Sequence, residues 1–276
     1  MKIAVIGGGS SYTPELINGF LERVDSLPLS ELWLMDVLPE RLEVVGRFAQ
    51  RMVQAKGEPF QVRLTTDQRA AVTDASYVIT QLRVGWMQAR REDEYLGRRH
   101  GLIGQETTGV GGMAKGLRTI PVILDIARDM QEVAAPGAPL VNFTNPAGLV
   151  TEALARYAPG ITAVGVCNVP ITAKMAILDQ LEEEQGARIA AERAELQTLG
   201  LNHLSWHRGF TVDGEDIWPG IIERFLARQQ AEDEPEWDPQ TIKMLGMIPN
   251  YYLQYYYYTG RKMAAPAGAR GLVQIS

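Results

Sequence analysis

Residues 1–14, MKIAVIGGGSSYTP, decide how the rest of the chain is read. KIAVI (2–6) is a short apolar run rich in β-branched side chains, the composition of a strand buried on both faces of a parallel sheet. Gly7, Gly8 and Gly9 follow at once, then Ser10, Ser11, Tyr12 and Thr13, with Pro14 suited to a first helical turn. Strand, glycine turn and helix start is the layout of a dinucleotide-binding βα unit. Glycine lets the backbone turn tightly beside a pyrophosphate, and the helix N-terminus supplies N–H donors and partial positive charge. The pattern departs from G-x-G-x-x-G at Tyr12, where a small residue would stand. A second apolar run, LWLM (32–35), ends in Asp36, 27 residues beyond Gly9. A carboxylate there accepts hydrogen bonds from a ribose diol and disfavours a 2′-phosphate, which points to NAD over NADP. The plainer alternative is an ordinary turn with a solvated aspartate.

The chain has 276 residues, 46% hydrophobic and 22% charged, enough to bury the core of one large or two ordinary domains. The net charge of −6, with no basic block, argues against nucleic acid or a membrane surface as partner. No apolar run approaches the roughly 20 residues of a membrane span. The first residues do not form a signal peptide, so a cytoplasmic location is expected. A single cysteine, Cys167, excludes an internal disulfide and must be packing, nucleophile or ligand.

The first half alternates strand and helix: a helix over 14–25, another over 39–54, strands at 60–64 and 76–84. That predicts an α/β, Rossmann-like, doubly wound parallel sheet. Residues 88–100, QARREDEYLGRRH, read as a solvated helix face. GLIGQETTGVGGMAKG (101–116) has six glycines in sixteen residues and reads as a long functional loop, followed by a helix over 117–134. LVNFTNPAG (140–148) is a strand that runs into a helix start at Pro146. Loops at the C-terminal ends of such strands face the ligand crevice, which favours Asn142 and Asn145; Asn145 could equally be a helix N-cap. ITAVGVCNVP (161–170) is the next strand, then a helix over 171–185 and a strand over 195–201 that leads to His203. HRGFTVDGEDIW (207–218) reads as a hairpin around Asp213-Gly214. We place an NAD-binding domain at 1–168 and an α+β substrate and metal domain at 169–276.

Cys167 and His203 are 36 residues apart, each just past a predicted strand. A thiolate and an imidazole suit a divalent first-row metal with positions left open for substrate oxygens. A small core hydrophobe and a hydrogen-bonded histidine are the bland alternative. Glu106 could be a base or an orienting carboxylate, though an exposed glutamate is the default. Arg83 and Arg90 could bind an anion. Tyrosines 251, 252 and 255–258 are packing residues by default, and one could act as a base where a cation lowers its pKa.

Taken together, IGGGSSYTPEL, RREDE before HGLIGQETTGVGG, VNFTNPAG, GVCNVPI, GLNHLSW and PNYYLQYY resemble the NAD- and metal-dependent glycosidases of glycoside hydrolase family four. They resemble most its 6-phospho-β-glucosidase branch, because Asn168 follows Cys167 where the α-glucoside branch carries Asp. The likeness runs in the family's order over residues 1–262. It implies NAD on the loop Gly7, Gly8, Gly9, Ser10 and Ser11, with Asp36 on the ribose and Arg83 and Asn142 on the cofactor side. It implies a divalent metal, typically manganese, on Cys167 and His203. Arg90 and Asn145 would contact the sugar phosphate, with Asn168 also at the substrate. Tyr252 would be the base, its basicity raised by Glu106, with Tyr256 as fallback. The implied reaction is hydrolysis of 6-phospho-β-glucosides by oxidation at carbon 3, metal-assisted elimination and water addition, outside the two-carboxylate scheme. A homo-oligomer is the family expectation.

After RKMAA (261–265) the likeness stops, where the family continues with an arginine-bearing stretch at the substrate phosphate; Arg270 does not fit that pattern. The resulting expectation is retained NAD binding with weak or no activity and lowered solubility. Two rival readings are an NAD-dependent 2-hydroxy-acid dehydrogenase and a non-catalytic NAD-binding remnant.

Overall fold

A computed structural model describes residues 1–201 and 203–264; Arg270 lies outside the described residues. The chain divides into two compact units, Met1–Val166 and a second that begins at Cys167.

The first unit is built around β1 (Lys2–Ile6), with β2 (Glu31–Met35) on one side and β4 (Tyr77–Thr80) on the other. With β3 (Gln61–Thr65), β5 (Leu140–Asn142) and β6 (Ala163–Gly165) it forms a six-stranded parallel sheet in the order β3-β2-β1-β4-β5-β6. This is the Rossmann order. The period-2 alternation of β1 sends Ile3 and Val5 to one face and Ala4 and Ile6 to the other. Ile3 and Val5 pack with Ile17, Leu32, Leu34, Leu42 and Val53, which brings α1 (Thr13–Leu21) and α2 (Pro39–Ala55) onto that face. Ala4 and Ile6 pack with Ile123, Ile126, Met130, Leu140 and Leu154, from α5 (Gly109–Val133) and α6 (Ala147–Tyr157) among others. Each fully buried Ile or Leu contributes about 1.5–3 kcal/mol. A short α3 (Gln68–Val72), capped by Asp67, also packs on this unit.

Three expectations change here. The strand expected over 76–84 stops at Thr80: the Leu82 N–H donates to Thr144 Oγ1 instead of a ladder partner, and Gly85 and Trp86 turn the chain with φ of 82° and 61°. The strand expected over 161–170 shortens to Ala163–Gly165 at the edge of the sheet. The glycine-rich segment 101–116 is only half loop, because α5 begins at Gly109. Its glycines serve close packing. A Cβ on Gly111 would fall onto the carbonyl oxygens of Gln105 and Asp93, the latter at 2.8 Å, and one on Gly112 onto that of Thr107 at 2.6 Å. The charged run 88–100 forms α4 (Trp86–Arg99) but is not wholly solvated: Asp93 is 3% exposed and paired with Arg118 at 2.5 Å.

The second unit holds α7 (Val169–Gln185) and the long antiparallel pair β7 (Ala194–Leu201) and β8 (Leu204–Val212). Asp213 and Gly214, both with positive φ, form the two-residue turn into β9 (Glu215–Asp216), the expected hairpin. Next come α8 (Trp218–Ala231), α9 (Pro239–Leu245) and β10 (Ile248–Pro249), which pairs with β8. Phe210, Trp218 and Leu181 centre one core, and Trp237, Ile242 and Leu253 another. The chain then continues through a 3₁₀ turn, Tyr251–Leu253, into α10 (Gln254–Tyr257) and α11 (Thr259–Ala264). No helix among the described residues is long and apolar enough to cross a membrane.

Two glycine substitutions should act in opposite directions. Gly111→Ala drives a methyl into two carbonyl oxygens and should cost about 1–3 kcal/mol. Gly19→Ala, inside α1 with nothing within 4 Å of the new Cβ, should add about 0.5–1 kcal/mol. Urea unfolding of the two variants checks both signs.

Candidate active site

The glycine turn is fixed from two sides. The Gly7 and Gly8 N–H groups both donate to Met35 O at the end of β2, at 2.9 and 2.7 Å. A Cβ on Gly8 would meet the Leu34 Cα at 2.9 Å, and one on Gly7 (φ 93°) the Gln81 O at 2.7 Å. Asp36 is buried there. Its Oδ2 accepts from Gly9 N–H at 2.9 Å and its Oδ1 from Leu38 N–H at 3.1 Å, so it locks the loop to β2 as well as marking the crevice. Arg41 donates to Gly9 O. Ser10 closes the turn, its N–H donating to Gly7 O and its Oγ accepting from Tyr12 N–H. Among the described residues the exposed Ser11 makes no backbone hydrogen bond through its N–H, which leaves a donor at the head of α1. A tight turn with a spare N–H at a helix start fits a dinucleotide pyrophosphate.

At the ends of β4 and β5 the residues separate by task. Asn142 is fully buried: its Oδ1 accepts from Thr80 Oγ1 and Thr144 N–H, and its Nδ2 donates to Thr144 O. The side chain holds the loop and faces away from solvent. Asn145 is half-buried, and its amide makes no hydrogen bond among the described residues. It is not the cap of α6, a position taken by Pro146.

Glu106 is buried, against the default of an exposed glutamate. Its Oε2 accepts from Arg83 and from Lys115 Nζ at 3.0 Å, while Arg90 Nη1 lies 3.4 Å from Oε1. Arg90 Nε also donates to Glu94 Oε1 at 2.9 Å. Burial pushes the Glu106 carboxyl up, but Lys115, Arg83 and Arg90 outweigh it and hold the group at about 2. Glu106 is therefore a fixed anion that orients cations, and a poor proton acceptor at neutral pH.

In the second unit Cys167 precedes α7, and His203 sits in the turn between β7 and β8. Cys167 Sγ lies 3.5 Å from His203 Nε2, and Asn168 Oδ1 is 4.0 Å from the same sulfur. Burial lowers the His203 pKa, which keeps the imidazole neutral with a lone pair to give. One sulfur and one imidazole nitrogen converging at this range fit a divalent metal with open positions. Among the described residues no group of three or more His, Cys, Asp or Glu could hold a metal, so this pair is by itself an incomplete ligand set. The Tyr252 ring stacks on His203, centroids 4.0 Å apart. Asn250 places it: its N–H donates to Ser205 O on β8, and its Oδ1 accepts from Tyr252 N–H. Tyr256, the fallback, is 75% exposed and lies against Tyr257.

The description "Family 4 glycosyl hydrolase" matches residues 2–183, and "Family 4 glycosyl hydrolase C-terminal domain" matches 198–270. The chain belongs to family 4 of the glycosyl hydrolases. A family 4 relative from Bacillus subtilis, named "Probable 6-phospho-beta-glucosidase", is 47% identical over 94% of this chain and 59% of its own. The 6-phospho-beta-glucosidase of Escherichia coli is 40% identical over 97% and 60%. The 6-phospho-beta glucosidase of Thermotoga maritima, solved with manganese, NAD+ and glucose-6-phosphate, superposes with a TM-score of 0.83 at 36% identity, covering 95% of this chain and 61% of that one. The chain thus spans about six-tenths of the length of these family 4 relatives.

Two positioning residues are not among those that the sequence reading singles out. Lys115 stands in a glycine-rich segment that reads as loop, and Asn250 precedes a run of tyrosines that draws the eye. Asn250 was findable as a capping residue before a turn.

The Glu106 pKa sets a testable pH dependence. A carboxylate depressed on folding stabilises above its unfolded pKa and loses that contribution as pH falls towards the folded value. A fall from 4.5 to about 2 corresponds to roughly 3 kcal/mol. Glu106→Gln should lower neutral-pH stability by about that amount, and the gap from wild type should shrink between about pH 4.5 and about pH 2. Urea titrations of both proteins across that window measure it.

Proposed function

We propose that this chain carries the catalytic apparatus of a 6-phospho-β-glucosidase, which hydrolyses 6-phospho-β-glucosides with NAD and a divalent metal. The observation that carries the reading is the Cys167–His203 pair at 3.5 Å with Tyr252 stacked on the imidazole, in a family 4 chain. The Gly7–Ser11 turn and Asp36 would hold NAD, and Cys167 and His203 the metal, manganese by analogy with the Thermotoga maritima structure. When bound, NAD supplies reversible hydride acceptance at carbon 3 of the sugar, and the metal supplies Lewis acidity at the neighbouring oxygens.

The chain's own residues do the rest. Arg90, with its guanidinium oriented by Glu94 and Glu106, presents a planar fork to the sugar phosphate. Asn145 contributes an uncommitted amide to the same end of the substrate. Asn168, beside Cys167, binds the sugar near the metal. Tyr252 takes the proton from carbon 2, and the aglycone leaves by elimination before water adds back. Glu106 acts on this chemistry by orienting arginines, because its charge is already engaged by three cations. The same reading carries a cytoplasmic location and assembly as a homo-oligomer.

Release of nitrophenol from p-nitrophenyl-β-glucoside 6-phosphate tests the proposal. The reading requires that release depend on NAD, manganese and a reductant together, whatever its rate. Cys167→Ser should abolish the manganese-induced rise in melting temperature while leaving the NAD-induced rise in place. Hydrolysis that continues with NAD or metal withheld would sink the mechanism. Accumulation of NADH with a ketone product would favour the dehydrogenase reading instead.

A further inference from the structure

Trp86 has no part in the site as described above. It opens α4 just beyond the end of β4, and its backbone lies in the left-handed region at φ 61°. A bulky side chain seldom adopts that conformation, and it does so at a cost in strain. The residue does not repay that cost by packing. Among the described residues its indole belongs to neither core of the first unit and is 38% exposed. What it meets is the Arg41 guanidinium, whose Cζ lies 5.9 Å from the ring centroid. Arg41 Nη2 and Nε donate to Gly9 O at 3.2 and 3.3 Å, so the indole is two contacts away from the glycine turn. A Cβ on Gly9 would lie 2.8 Å from Asp36 Oδ2 and 3.2 Å from Arg41 Cβ, which puts Asp36 and Arg41 side by side against that turn.

The strand order gives this contact its meaning. Arg41 is on the helix after β2, Trp86 is in the turn after β4, and those two strands flank β1 on opposite sides. The two side chains therefore meet across the carboxyl end of β1, at the Asp36 side of the glycine turn. In an open α/β sheet a dinucleotide lies outside these strand ends, with the adenosine ribose at the acidic residue. We propose that the Trp86 indole is the surface on which the adenine of the cofactor stacks, with Arg41 as its cationic neighbour. This rests on the assignment of NAD to the Gly7–Ser11 turn. Adenine presents a flat π face, which gains from stacking on an indole and from a guanidinium beside it. A strained backbone that aims an aromatic ring out of the core and into a ligand crevice is the arrangement such a contact needs.

The test compares the two halves of the cofactor. Calorimetry would measure binding of NAD, ADP-ribose and nicotinamide mononucleotide to wild type, Trp86→Gly, Trp86→Leu and Trp86→Phe. Trp86→Gly and Trp86→Leu should weaken NAD and ADP-ribose by about tenfold, within the range that a base stacked on an aromatic ring contributes. Trp86→Phe, which keeps an aromatic face, should fall between them and wild type. Nicotinamide mononucleotide has no adenine, and its affinity should be the same in all four proteins. The melting temperature of unliganded Trp86→Gly should equal or exceed that of wild type, because glycine takes a φ of 61° without strain. Equal affinity for ADP-ribose across the series, in a wild type that binds NAD, would overturn the proposal and leave the cofactor assignment standing. A wild type that binds neither NAD nor ADP-ribose would remove the assignment and the proposal together. Variants that lose all three probes alike, or whose melting temperatures fall in step with their affinities, would mark Trp86 as a packing residue and overturn the proposal.

Discussion

The end of β1 is packed so closely against its neighbours that no side chain fits on it. Gly8 lies against Leu34, Gly7 against Gln81, and Asp36 ties Gly9 down through its carboxylate. This constraint makes the rest possible. A bulkier turn would push α1 off the sheet and carry the free N–H at Ser11 with it. The apolar alternation of β1, which buries Ile3 and Val5 on one face and Ala4 and Ile6 on the other, anchors the turn to two cores at once. A flexible glycine segment is thereby made rigid by its surroundings.

A second principle is the use of buried charge. Within the first unit, Glu106 with Arg83, Arg90 and Lys115, and Asp93 with Arg118, replace apolar contacts between α4 and the start of α5. Buried ion pairs seldom add much net stability, and breaking one partner is expensive. They do fix orientation. Arg90 is held at two of its nitrogens by separate carboxylates, a geometry that a solvated arginine would not keep.

The sequence made the parallel sheet legible because KIAVI, the glycines and Asp36 obey local rules of period, turn and spacing. The Asp213-Gly214 hairpin was readable for the same reason. Residues 101–116 were misread because glycine has two uses, freedom and closeness. Gly111 is needed for its closeness to Asp93, which lies on another helix and has no local trace. The convergence of Cys167 and His203 is likewise invisible in spacing, because it depends on the path of the β7–β8 pair. The motif resemblance brought those two residues together before the fold did. Resemblance could not say that Asn142 faces inward or that Glu106 is held by three cations, since both depend on side-chain packing.

Helix α5 runs for 25 residues, roughly 37 Å at the usual rise. It carries Lys115 near one end and Ile123, Ile126, Ala127 and Met130 in the core further along. Pro121 stands between them and removes one backbone hydrogen bond, to the carbonyl of the exposed Leu117. Electrostatics and packing thus share one rod with a weak point in its middle. A shift in the first turns of α5 is therefore passed on to the core through one backbone hydrogen bond fewer than an unbroken helix would supply.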